Sequence, residues 1–273
     1  MTAPIEATQP PLLLERPEPG LCVLRLNRPK CLNAMDLPAL REFHALLDGL
    51  LADPALRVIV LAGEGNGFCA GLDLKSVLDE NGKPTMNVSQ AYELQLCYAG
   101  LIKRLRASDA TVIAAVHGVA VGAGMALSLA ADIRFASTSA SFHVGAVRIG
   151  ITAGECGISY HLPRLIGASR AFELMLTGRP VLADEAARIG LVAEVVAPEA
   201  LLARALLCAH QILAHSAYST AHTKRLMWAN LDAPSLDAAI ELENHAQVLG
   251  LMTADFGEAA KAFVEKRPPR FGL

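Results

Sequence analysis

The chain is short of charge. Only 19% of its 273 residues are Asp, Glu, Lys or Arg, the formal net charge is −3, and no block of lysine or arginine occurs. A nucleic-acid interface needs a basic surface that neutralises phosphates, so we expect no nucleic-acid partner. By contrast, 53% of the residues are hydrophobic. That is enough apolar side chain to build the core of one large domain or two modest ones.

Several familiar motifs are missing as well. The six cysteines are scattered, without a Cys-x-x-Cys pair or the Cys/His spacing of a zinc site. The sequence has no G-x-G-x-x-G after a strand, no Walker A lysine loop and no G-x-S-x-G elbow. We therefore expect no metal and no separate cofactor. Ser159 and His161 are predicted to be helix residues, not a nucleophile and its base.

The N-terminus lacks the basic and apolar regions of a signal peptide, and residues 1–10 are predicted to form a disordered tail. Residues 111–131 carry no charged side chain and approach the roughly 20 residues of a membrane span. Three glycines interrupt this stretch, so we interpret it as a buried strand followed by a buried helix and expect no membrane partner. The scattered cysteines fit reduced thiols in a cytoplasmic protein.

Predicted strands and helices alternate over the first two thirds of the chain. Apolar runs predict strands at 12–15, 21–27, 57–62, 111–116, 133–136, 141–144 and 191–196. Helical periodicity predicts helices at about 36–52 and 89–106 and from about 122, with a helix start near Leu72 and a flexible loop at 79–88. Beyond residue 154 the pattern is mainly helical, and 198–273 is predicted to form three helices. This order indicates an α/β or α+β fold.

Two short stretches each combine a strand end, a small-residue loop and a helix start. They are residues 67–74 (GFCAGLDL) and residues 117–124 (HGVAVGAG). Small side chains leave backbone N–H groups open to a ligand. Two such donors that converge from separate loops can hold an oxyanion.

Five stretches in order resemble the enoyl-CoA hydratase/isomerase (crotonase) superfamily. They are 26–34 (LNRPKCLNA), 68–74 (FCAGLDL), 114–124 (AAVHGVAVGAG), 131–134 (ADIR), and 173–178 (ELMLTG) with 186–192 (AARIGLV). The resemblance runs from about Leu21 to Val196. It implies an acyl-CoA substrate, with coenzyme A as part of the thioester. It also implies a crotonase-like spiral of ββα units over 11–197, a helical trimerisation or lid region over 198–273, and a homotrimer or hexamer.

The resemblance also assigns residues. Two residues match the family's oxyanion donors. Ala70 precedes the glycine of the first motif, and Ala123 is the middle residue of the small-residue triplet 122–124. Ala123 would lie at a helix N-terminus, whose dipole favours negative charge. The residues that match the coenzyme A contacts are Lys30, Cys31, Leu32, Ala70, Leu72 and Leu74.

The acids of the site depart from the hydratase pattern. Ala126 and Ala146 stand where hydratases carry their two glutamates. Glu155 matches the position of a catalytic aspartate in dienoyl-CoA isomerases and in 4-chlorobenzoyl-CoA dehalogenase, and we expect it to move the proton. Among the other polar residues, Asp73 is predicted to be a helix cap, Asp132 a structural residue, and His143 a packed or hydrogen-bonded side chain.

The sequence therefore favours an acyl-CoA enzyme that stabilises a thioester enolate and isomerises a double bond. Hydration is disfavoured because one positioned acid or base contributes roughly 10²–10⁴-fold, and both glutamates are absent. Two alternatives stay open. One is a non-catalytic acyl-CoA carrier that keeps the oxyanion hole for binding. The other is an enoyl-CoA hydratase of fatty-acid β-oxidation.

Overall fold

The computed structural model describes residues 9–272. Its strands are Leu12–Glu18 (β1), Leu21–Leu26 (β2), Val58–Gly63 (β3), Thr111–Val116 (β4), Val119–Val121 (β5), Ile133–Ser137 (β6), Ser141–His143 (β7), Val181–Leu182 (β8) and Glu194–Val196 (β9). Its α-helices are Leu37–Leu51 (α1), Val88–Ala107 (α2), Ala123–Ala130 (α3), Ile158–Ile166 (α4), Ala168–Thr177 (α5), Ala183–Arg188 (α6), Leu201–Leu213 (α7), Ala217–Asn230 (α8), Leu236–Leu251 (α9) and Ala254–Val264 (α10).

Two sheets organise the chain. The larger has the strand order β1-β2-β3-β4-β6-β9, and the smaller has the order β5-β7-β8. In the larger sheet only β1 and β2 pair antiparallel, and the other neighbours are parallel. Parallel strands are covered on both faces, which explains why β3 and β4 are continuous apolar runs with every residue buried. The mixed α/β class that the sequence predicts is confirmed.

Apolar side chains cover both faces of the large sheet. On one face α1, α2 and α3 enclose a core that includes Phe43, Phe68 and Leu101. On the other face α7 lays Leu201, Ala205 and Ala209 against the sheet. The helix α1 begins as predicted, because the Asp36 side chain accepts the N–H of Ala39 at 2.9 Å.

A buried polar anchor joins α8 to the large sheet. The Lys224 ammonium, which is 7% exposed, lies 2.9 Å from the Asp132 carboxylate and donates to the carbonyls of Leu105 and Ala110. Asp132 also accepts the indole N–H of Trp228 at 2.6 Å and the N–H of Val112 at 2.7 Å. Every polar atom of the ion pair thus has a partner, as a buried charge requires.

The helices differ from the prediction in two places. No α-helix begins near Leu72; the chain instead makes one 3-10 turn at Leu74–Ser76, with Asp73 as its cap through a 3.2 Å bond from the N–H of Lys75. Four α-helices, α7 to α10, follow residue 198 where three were predicted. Side-chain caps at Ser216, Ser235 and Thr253 start the last three of them.

The other segments can be placed briefly. Residues 111–131 form β4, β5 and α3, as the interpretation of a strand followed by a helix predicts. Within residues 9–272 no single helix is long and apolar enough to cross a membrane. One pair of helical segments, Pro198–Leu213 and Ala217–Asn230, reaches that length and apolarity only when taken together, and the pair is bent by 110°. Most of the predicted tail, residues 1–8, lies outside the described residues. The boundaries at 11–197 and 198–273 stay predictions.

Candidate active site

The two small-residue loops lie side by side. The N–H of Cys69 donates to the carbonyl of Val119 at 3.0 Å, and the N–H of Val121 donates back to the carbonyl of Cys69 at 2.9 Å. Gly124 makes the approach possible, because a Cβ there would lie 2.1 Å from the Cys69 carbonyl oxygen. A Cβ at Gly71 would lie 3.2 Å from the nitrogen of Ala123. The motifs, distant in sequence, therefore meet through their backbones.

Ala123 is the first residue of α3, a helix in which all eight residues are buried. The preceding Gly122 has a φ of 51°, a left-handed conformation that glycine adopts without strain. Among the residues that the structure describes, the N–H of Ala123 has no acceptor. First-turn N–H groups lack helical partners and carry the positive end of the helix dipole. The Ala123 amide is thus suited to an anionic oxygen.

The amide of Ala70, the other donor that the resemblance predicts, differs from that of Ala123. The N–H of Ala70 donates to the carbonyl of Leu32 at 2.9 Å, so it is already occupied. Two residues further on, the N–H of Leu72 has no acceptor within residues 9–272. Gly71, with a φ of 82°, turns the chain between the two peptides. This glycine is the sequence signal for the turn, since a left-handed residue at that position separates a bonded N–H at Ala70 from an N–H without an acceptor at Leu72.

Glu155 reaches this pair of loops from the segment before α4. A Cβ on Gly122 would lie 2.9 Å from its Oε1, so the carboxylate sits directly against the residue that precedes Ala123. Burial raises the pKa of Glu155. Its carboxylate has no hydrogen-bond donor among residues 9–272. No hydrogen-bond donor within that range therefore stabilises the charged form of the carboxylate, and its pKa lies above that of an ordinary glutamate.

The sequence pattern around Glu155 is typical of a helix start, where a carboxylate would only complement the helix dipole, but Glu155 lies outside the helix. The helix α4 begins three residues later at Ile158, after Cys156 and Gly157, both of which have a positive φ. These two left-handed residues turn the chain and bring Glu155 over Gly122. The positive φ of Cys156 is uncommon for a residue other than glycine. A helix-cap role for Glu155 is therefore not what the structure supports.

The other positions that the sequence singled out are buried or bonded to other parts of the chain. Ala126 is wholly buried within α3, and Ala146 is buried in a 3-10 turn at Gly145–Ile149. Asp132 belongs to the anchor with Lys224. His143 makes a 2.9 Å bond to the Ser141 hydroxyl, and burial, with a smaller contribution from Arg148, lowers its pKa.

The residues predicted to contact coenzyme A lie near the first loop. Lys30 and Cys31 belong to a 3-10 turn at Pro29–Cys31, in which Lys30 is exposed. Leu32 and Leu74 are 38% and 42% exposed, and Leu72 is half-buried. Leu32 is tied to the loop by the bond from Ala70. That bond joins the two segments on which these residues lie, and their contact with coenzyme A stays a prediction.

The chain is similar to proteins of one family over nearly its whole length. The family described as enoyl-CoA hydratase/isomerase matches residues 16–272. A protein named "Probable enoyl-CoA hydratase EchA12" from Mycobacterium tuberculosis is 42% identical over 266 residues, which cover 95% of this chain and 92% of that protein. The 1,2-epoxyphenylacetyl-CoA isomerase of Escherichia coli is 34% identical over 264 residues, 95% of this chain and 97% of that one.

Solved structures show the same fold. A crystal structure described as a probable enoyl-CoA hydratase/isomerase from Mycobacterium abscessus superposes with a TM-score of 0.87 at 39% identity, and covers 96% of this chain and 98% of that one. This agreement extends from the spiral of strands to the C-terminal helices. The chain therefore belongs to the enoyl-CoA hydratase/isomerase (crotonase) family and is an enzyme of that family.

Proposed function

We propose that this enzyme isomerises a double bond in an acyl-CoA thioester, with Glu155 as the proton-transfer group. The observation that carries the proposal is the position of the Glu155 carboxylate against Gly122, beside the unpaired N–H of Ala123. Perturbed carboxylates in such places are candidate catalytic groups. The similar proteins include one named a probable hydratase and one named an isomerase, so the proposal rests on the site and not on their names.

The chemistry needs only two backbone donors and one carboxylate. The thioester carbonyl oxygen accepts the N–H groups of Leu72 and Ala123, which stabilise the enolate that forms when a carbon-bound proton leaves. Glu155 takes this proton from one carbon of the acyl chain, the double bond shifts, and the same carboxyl returns the proton to another carbon. No other reactant is consumed. The raised pKa matches this task, since a carboxyl closer to neutrality both accepts and returns a proton readily.

Hydration fits the site less well. It requires groups that activate water and protonate the α-carbon, and the hydratase positions hold the methyl groups of Ala126 and Ala146. An alanine side chain has no ionisable group, so neither position presents an acid to a bound substrate. A hydratase role in β-oxidation and a non-catalytic carrier role are therefore the alternatives that an activity test must separate.

The test compares Glu155→Gln with wild type on a 3-enoyl-CoA and a 3,5-dienoyl-CoA. Glutamine keeps the shape and removes the base, so turnover should fall about 10²-fold or more while acyl-CoA affinity holds. Glu199→Gln, at an exposed position, is the matched control. An unaffected rate in Glu155→Gln would end the proposal. Tight binding without turnover by wild type would establish the carrier, and efficient hydration of crotonyl-CoA would establish the hydratase.

The donor assignment has its own test. Ala123 is the first position of α3, where proline is tolerated, so Ala123→Pro removes the N–H with little disturbance of the helix. Loss of one oxyanion donor costs roughly 10²–10³-fold in kcat. A folded Ala123→Pro enzyme with wild-type turnover would exclude this amide from the oxyanion hole.

We also propose that the protein assembles as a homotrimer or a dimer of trimers in the cytoplasm. The supporting observation is the helix α9, which has no buried residue. Its exposed apolar side chains include Leu236, Val248 and Leu249. Large exposed apolar surfaces mark interaction sites. Light scattering at micromolar concentration should give the mass of three or six chains, and the mass of one chain would contradict the proposal.

A further inference from the structure

The Leu72 peptide is held on both sides by a single residue of another segment. The N–H of Met35 donates to the carbonyl of Gly71 at 2.8 Å, and the carbonyl of Met35 accepts the N–H of Asp73 at 3.0 Å. These bonds occupy the groups immediately before and after Leu72. They leave the N–H of Leu72 without an acceptor among residues 9–272. Its direction therefore depends on where Met35 is fixed.

Met35 is itself fixed by a tyrosine of α2. The hydroxyl of Tyr98 donates to the carbonyl of Met35 at 2.6 Å, and Tyr98 is only 4% exposed. Burial raises the pKa of Tyr98, so the phenol remains a protonated donor at neutral pH. The Met35 carbonyl consequently receives two hydrogen bonds, one from the core helix and one from the loop that carries Leu72.

A charged bridge closes the outer side of the same segment. Arg28 lies 2.7 Å from the carboxylate of Asp36 and 3.3 Å from that of Asp73. Asp36 is the residue after Met35, and Asp73 is the residue after Leu72, so the bridge ties together the same two strands of chain. The bridge is partly exposed and worth little by itself. The buried Tyr98 bond is the inner and better shielded of the two restraints.

We propose that Tyr98 is a positioning residue, which aims the Leu72 N–H at the thioester oxygen by holding the Met35 carbonyl. This inference rests on the proposed oxyanion hole and adds a role for a residue that does not touch the substrate. A backbone donor has no side-chain torsion that could orient it, so its direction is set by the hydrogen bonds to the neighbouring peptide groups. Oxyanion donors act only when they are aligned with the oxygen on which charge develops.

The experiment uses Tyr98→Phe, which keeps the ring and removes the hydroxyl, in the full-length protein. Tyr218→Phe is the matched control, because the Tyr218 hydroxyl makes a similar 2.7 Å bond to the carbonyl of Ala246, which joins α8 to α9 and not to either small-residue loop. The probe is an arylenoyl-CoA thioester with a 4-dimethylamino group, whose absorption moves to the red when hydrogen bonds polarise its carbonyl. Binding affinity and the size of the red shift are measured together with kcat and KM for a 3-enoyl-CoA.

Wild type and Tyr218→Phe should bind the probe with the same red shift. Tyr98→Phe should bind it with an affinity within about threefold of wild type but show a smaller red shift, and kcat should fall about 10-fold or more with little change in KM. A full red shift and unchanged kcat in Tyr98→Phe would overturn the positioning role alone. Bound probe without a red shift in wild type would overturn the oxyanion hole itself, and with it this inference.

Discussion

The spiral core and the helix α9 both carry recurrent apolar side chains but bury them very differently. In the core, β3, β4 and α3 have every residue buried. In α9, none of the sixteen residues is buried, although leucine, isoleucine and valine recur along it. The core therefore buries its apolar side chains within one chain. The tail does not, and its apolar residues are available to a second surface.

The transition between the two regimes lies within the C-terminal helices. The helix α7 packs on the large sheet, and α8 is anchored by Lys224 and Trp228 to Asp132. Beyond α8 the contacts are mostly between helices of the tail, as in the bond from the Tyr218 hydroxyl to the Ala246 carbonyl. A change in the core should hence act on the fold of the single chain. A change in the tail should act on assembly.

The largest effect is expected where two core loops touch. In Gly124→Ala the new methyl group would lie 2.1 Å from the Cys69 carbonyl oxygen, and a backbone atom in the core cannot move away. The loss should exceed the roughly 1–3 kcal/mol of ordinary overpacking and remove acyl-CoA turnover. Urea unfolding and the 3-enoyl-CoA assay measure both. Gly49→Ala in α1, with open space around its Cβ, is the control; equal stability of the two variants would refute the close packing.

The anchor between core and tail comes next. Lys224→Met keeps the length of the side chain and removes the ammonium that pairs with Asp132, leaving a buried carboxylate with only neutral donors. Removal of one partner of a buried ion pair typically costs about 3–5 kcal/mol. Thermal unfolding should show this loss. The control is Arg225→Met, which removes an exposed ion pair with Asp109 and should cost less than about 1 kcal/mol. Equal small losses would mean that α8 docks without its lysine.

The buried carboxylate of Glu155 should lower the free energy of unfolding at neutral pH. Burial raises the pKa of its carboxyl above the ordinary 4.5, so the folded state holds the proton more tightly than the unfolded chain. The contribution of Glu155 to the free energy of unfolding is then greatest below pH 4.5 and is lost as the pH rises through the raised pKa. Glu155→Gln should therefore unfold at a higher temperature than wild type at neutral pH, with the gap narrowing in acid. A lower melting temperature at neutral pH would contradict this sign.

The smallest effect is expected in the tail. Gly257 lies inside α10 with nothing near its missing Cβ. Gly257→Ala should stabilise the protein by about 0.5–1 kcal/mol, because alanine loses less conformational freedom in a helix. Gly49→Ala again provides the comparison within the core. Destabilisation by Gly257→Ala alone would show that another copy of the chain covers this face of α10.

The sequence predicts most of the framework, for local reasons. The apolar run at 57–62 marks a strand buried on both faces, and Asp36 marks a helix start because its cap is made three residues away. One break among the four C-terminal helices is not predicted, because a serine or threonine in a helical pattern serves equally well as a cap or as a surface residue.

The site was harder to predict than the framework. That the two loops meet follows from the family resemblance, but the choice between the Ala70 and Leu72 amides depends on Leu32 and Met35, whose bonds to the loop are long-range. The placement of Glu155 depends on the positive φ of Cys156, which no local propensity favours. Tyr98 gave no signal, because a tyrosine on the buried face of a helix resembles any other core aromatic residue.

The proposed oxyanion donors, which have no acceptor within residues 9–272, are the main-chain N–H groups of Leu72 and Ala123. Ordinary substitution at either position changes a side chain and spares the donor, so only proline deletes it. In the proposed oxyanion hole, a carboxylate could therefore stand at position 126, 146 or 155 without any change to the backbone donors. A different position of the acid would then favour a different reaction of the same enolate, and the residue types at positions 72 and 123 would record little of that change.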